Sequence, residues 1–140
     1  MQIMNQGKIK LTENHRRSLT SALIMIEQML AEMEDSIVHR REGCCFAVDN
    51  DISSEIARHN LEVIREAREK LCMLAAKYGT WKYNQSLRKI LNAKKTRIWE
   101  ILSDIKSRKS RGFGEFPKEI VREYDSDVEE LLSVTEKIIL

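Results

Sequence analysis

Apolar residues return at helical spacing in four long stretches that together take up nearly all of this chain. The first runs through Leu19, Leu23, Ile26, Leu30, Met33 and Ile37 in alternating steps of four and three. The third runs through Leu87, Leu91, Lys94, Ile98, Ile101 and Ile105 in the same rhythm. Such steps keep side chains on one side of a helix. The second stretch carries Ile56, Val63, Ile64, Ala67, Leu71, Leu74 and Tyr78, and the fourth carries Val121, Tyr124, Val128, Leu131, Leu132, Thr135, Ile138 and Ile139.

End signals divide these stretches into elements. Thr12 is an N-cap for the first, and Arg40, Arg41 and Gly43 suit its C-terminus. Ser53 caps the second, Gly79 ends it, Thr80 opens the third, and Pro117 fits the first turn of the fourth. The pattern predicts helices over 12–39, 53–78, 81–108 and 117–139. With short connections these make one all-α domain, residues 1–140, folded as an antiparallel up-down four-helix bundle. Ser126 and Glu129 form a capping-box pattern inside the last helix, so a fresh start at Ser126 competes with one continuous helix; the unbroken apolar phase favours continuity.

Composition agrees with this class: 42% hydrophobic and 33% charged residues, with five Gly and one Pro, suit a helical globular chain and exclude a loop-rich or all-β one. No apolar run approaches the roughly 18 residues that span a bilayer, and Met1 to Lys10 lack an apolar signal core. The expectation is a cytoplasmic protein without membrane contact. Three cysteines, Cys44, Cys45 and Cys72, read as free thiols; the adjacent Cys44 and Cys45, near Arg40 and Arg41, also suggest a redox-sensing pair.

Charge changes the picture, because the net of +2 is unevenly spread. Residues 77–111 hold eleven Lys or Arg against two acids, and residues 112–140 hold three against eight. Helix three is basic and helix four acidic. Either the two lie side by side and their charges pair, or helix three offers a basic face to a polyanion. On a helical wheel Trp81, Arg88, Asn92, Lys95, Trp99 and Lys106 share one stripe. Together with Arg108, Lys109 and Arg111, residues Arg88, Lys95, Trp99 and Lys106 make a candidate nucleic-acid surface, stacking bases and neutralising phosphates. Arg111 to Phe116 superficially match a strand motif of RNA-recognition domains, but their place between helices, followed by Pro117, excludes that strand.

Candidate chemistry is sparse. Lys94 interrupts an apolar stripe, as a register-setting residue or a ligand-binding lysine, and Asn60 has the same register reading. The pairs Asp35–His39 and Glu55–His59 lack the Glu-x-x-His spacing of bundle metal sites. Asp49 and Asp51 lack the glycine and closing Glu of a calcium loop. No nucleophile triad or phosphate loop appears, and no cofactor is expected. Helix one has apolar residues beyond its main stripe, notably Ile24, Met25 and Met29, which suggests a covered second face. The sequence thus predicts a non-catalytic interaction or regulatory protein, self-associating as a homodimer or meeting another protein through Ile24, Met25, Met29, Trp81 and Trp99. Nucleic-acid binding is the alternative, and a small-ligand or metal-dependent bundle enzyme the third.

Overall fold

The computed structural model of the chain describes residues 10–139. They form two compact units that divide after Tyr83. The architecture is all-α, and among the described residues the only β pairing is an isolated antiparallel bridge between Glu42 and Ala47.

The first unit is a hairpin of α1 (Glu13–Val38) and α2 (Ser54–Tyr78). Its ends are those the local signals specify. Thr12 Oγ1 accepts from the His15 N–H, and Ser53 Oγ accepts from the Ile56 N–H, both at 3.2 Å. Gly79 ends α2 at φ 65°, a left-handed conformation that a side chain penalises, and its N–H donates to the Ala75 carbonyl. The Arg16 guanidinium, early in α1, lies 5.4 Å from the ring centroid of Trp81, just past α2, so the helices run antiparallel. Their seam repeats in steps of four and three. Thr20 and Leu23 are buried on α1, with Arg16, Leu30 and Ile37 half-buried. Ile64 is buried on α2, with Ala57, Leu61, Leu71, Ala75 and Tyr78 half-buried. A Glu34–Arg68 ion pair of 2.8 Å fixes the register.

The second unit comprises α3 (Leu87–Asp104), a 3-10 segment η1 (Ser107–Phe113) and α4 (Val121–Thr135). These bounds correct the expected 81–108 and 117–139. Trp81–Ser86 is not helical; Ser86, not Thr80, is the cap, its Oγ accepting from the Lys89 N–H at 3.3 Å. Trp81 therefore does not share a helix with Trp99. Residues past Asp104 tighten into η1, and Pro117 accepts from the Ile120 N–H at 3.3 Å in a turn that precedes α4. α4 is continuous through Ser126, so the internal capping box is not used. Lys95 in the middle of α3 reaches the carbonyls of Glu136 and Ile138 beyond α4, at 3.1 and 3.0 Å, while Ser107, past the end of α3, meets Asp125 early in α4, so this pair is antiparallel too.

The face of α3 that meets α4 is not the stripe expected from the sequence. Leu102 is buried, and Lys95, Ile98 and Lys106 are half-buried, opposite Val128 on α4, which is also buried. Leu87, Leu91, Lys94, Ile101 and Ile105 are exposed. Lysine stems lie along apolar surface while their heads seek acceptors, here beyond the end of α4 and at Glu129.

Candidate functional site

Each helix carries two apolar stripes, and each hairpin consumes one. On α1 the open stripe holds Ile26, Met29 and Met33, at 46%, 56% and 52% exposure; on α2 it holds Ile56, Val63 and Leu74. Both lie about 100° from the seam in the same rotational sense. In antiparallel helices that places them on the same side of the hairpin. The Glu34–Arg68 pair sets Leu74 level with Gln28, between Ile26 and Met29, where the two stripes meet; Val63 falls level with His39, and Ile56 past the end of α1. The α3–α4 hairpin is built the same way, with Ile101 and Ile105 of α3 and Leu131 and Val134 of α4 exposed on one side. Among the described residues only Leu23, Ile64, Leu102 and Val128 are buried apolar side chains.

Of the partner-surface candidates, Met25, Met29, Trp81 and Trp99 are each about half exposed, and Ile24 is half-buried. The wheel separates them. Met29 lies in the open strip of α1, while Ile24 lies on the other flank of the seam. Val63 and Leu74 read as core on the sequence alone, yet both are exposed, and Leu74 joins the strip of α1. The missed signal was the breadth of apolar cover on α2, which exceeds one seam.

The nucleic-acid candidates divide. Arg88, Arg108 and Lys109 are exposed, as is Trp99, while the side chain of Arg111 lies outside the described residues. Lys95 is engaged by the carbonyls after α4, and Lys106 forms an ion pair with Glu129. Asp125 sits beside this cluster. It accepts from the Ser107 N–H at 2.9 Å and from the Ser107 hydroxyl at 2.6 Å. Those two bonds, with help from Lys106 and Arg108, hold its carboxyl below the ordinary aspartate range. Tyr124 donates its hydroxyl to the Ile105 carbonyl at 2.5 Å and packs against Phe116 with its ring tilted by 46°, centroids 4.6 Å apart. The basic and acidic segments thus meet within one hairpin.

At the far end of α1, Asp35 accepts from Arg41 at 3.2 Å and lies 3.2 Å from His39 Nδ1. Arg41 first, then His39, holds the Asp35 carboxyl low. Both its oxygens are engaged, and among the described residues no three His, Cys, Asp or Glu side chains gather as metal ligands. Lys94 is exposed. No helix among the described residues is long and apolar enough to cross a membrane.

Two antiparallel helical hairpins with open apolar sides define a class of helical protein by architecture alone. Comparison with known proteins gave no match to a family model, a curated protein or a solved structure.

Proposed function

We propose that this chain is a non-catalytic helical interaction protein that self-associates, with the open strip of the α1–α2 hairpin as its principal contact. The observation that carries this reading is the exposure of Ile26, Met29 and Met33 beside Leu74 on one side of a single hairpin. A helix with a second apolar stripe is covered by something in a stable assembly. A second copy is the occupant best supported, because Ile26, Met29, Met33 and Leu74 form one apolar patch and self-complementary pairing about a two-fold axis brings like patches together. Met29 and Met33 add adaptable side chains suited to such a surface.

The experiment is sedimentation of the full chain across roughly two decades of concentration. The expected outcome is a mass that rises from one chain toward two. Met29→Glu places a charge in the strip and is expected to shift the midpoint to at least tenfold higher concentration, with helical circular dichroism retained. One chain per particle at every concentration overturns the proposal. Nucleic-acid binding has weaker support, since Lys95 and Lys106 are occupied within the α3–α4 hairpin.

A further inference from the structure

The loop between α1 and α2 contains a chemical group that the interaction reading does not use. After Arg41 the chain turns back on itself: Glu42 pairs with Ala47, and the Gly43 N–H donates to the Phe46 carbonyl at 2.8 Å. Cys44 and Cys45 form the tip of this turn, both exposed and both free thiols, with their Sγ atoms 3.6 Å apart. Adjacent side chains in an extended strand point to opposite faces, so the turn is what brings the sulfurs together. The base of the loop is tied to α1 by the Arg41–Asp35 pair.

The separation distinguishes two chemistries. A disulfide requires about 2.05 Å between sulfurs. Two thiolates on one centre, with sulfur bonds of about 2.3 Å, lie about 3.4 Å apart at a pyramidal angle of about 95° and about 3.8 Å apart at a tetrahedral one. The pair, at 3.6 Å, lies between these values and well outside disulfide bonding. No third His, Cys, Asp or Glu among the described residues completes a metal-ligand group. The matching guest is therefore one satisfied by two sulfurs.

We propose that Cys44 and Cys45 form a bidentate site for a soft thiophilic centre of the class of monosubstituted trivalent arsenicals. The step is a condensation without redox change. Two sulfur–arsenic bonds form, the arsenic–oxygen bonds break, and the oxygen leaves as water carrying the two thiol protons. Chelation by two sulfurs of one turn makes the second bond intramolecular, which raises affinity over a single thiol by roughly a hundredfold or more. Cys72, on α2 and exposed, serves as the single-thiol reference in the same chain.

The test titrates the full reduced chain with phenylarsine oxide and counts the remaining thiols. One equivalent is expected to remove two of three thiols, to resist excess monothiol and to be released by a 1,2-dithiol. Cys44→Ser and Cys45→Ser are each expected to weaken retention at least a hundredfold, and Cys72→Ser to leave it unchanged. Wild-type protein that loses the arsenical to monothiol overturns the proposal without recourse to any variant. So does a wild-type complex whose retention depends on Cys72.

Discussion

Asp125 shows what one side chain does in this fold. Its carboxylate takes both polar hydrogens of Ser107, at 2.9 and 2.6 Å, and so fastens the start of η1 to the first turns of α4. Donors to the ionised form lower its pKa from the unfolded value of about 3.9. A depressed native pKa means that the contribution to stability is complete above the unfolded value and is lost as pH falls through the native one. Asp125→Ala is therefore expected to destabilise the second unit at neutral pH, with the difference from wild type shrinking once the pH falls below the ordinary aspartate range. Urea melts at neutral and low pH read this, and a difference that stays constant across the range contradicts it. This partnership was not legible beforehand. The sequence offers many acids on α4 and two serines among the basic residues, and only closure of the hairpin selects which acid meets which hydroxyl.

At the scale of elements, local chemistry was readable and facing was not. Thr12, Ser53 and Gly79 end helices where their side chains and backbone preferences say they must, because capping is settled within one turn. Ser86 obeys the same rule but was passed over for Thr80, although the apolar rhythm of α3 begins only at Leu87. Ser86→Ala is expected to cost about 1 kcal/mol in the unfolding of the second unit. Chemical denaturation measures it, and a change below about 0.3 kcal/mol contradicts the cap assignment. The seam of α3 was misjudged for a different reason. A binary count treats Lys95 and Lys106 as outward residues, yet both stems lie in the seam and both heads find partners on or beyond α4. The stripe that looked like core is consequently the open one, except at Ile98, which the two share.

Over the whole chain, helicity and the second stripe of α1 could be read from periodicity, since a four-three rhythm has one geometric meaning; the open residues of α2 and α3 read as core instead. The division after Tyr83 could not, because Gly79–Thr80 resembles a two-residue turn while the chain stays non-helical to Ser86. The open strip gives the molecule its proposed role, and single changes within it act on association rather than on the hairpins that present it.

The antiparallel pairing of consecutive helices also sets a time scale. Within each unit the bonds that join elements link positions 18 to 43 residues apart, as in Ser107–Asp125, Glu34–Arg68 and Lys95–Ile138. Short loops close quickly, and helical chains with such local connectivity reach their native pairing in microseconds to milliseconds. Joining two chains is bimolecular and slower at ordinary concentration. Refolding from urea is therefore expected to split into a rapid phase indifferent to protein concentration and a later one whose rate climbs with it. Stopped-flow fluorescence at two concentrations separates them, and a single concentration-independent phase contradicts this order of events. Under the proposed self-association, the chain spends its first moments with the apolar patch of the α1–α2 hairpin bare, before a second copy covers it.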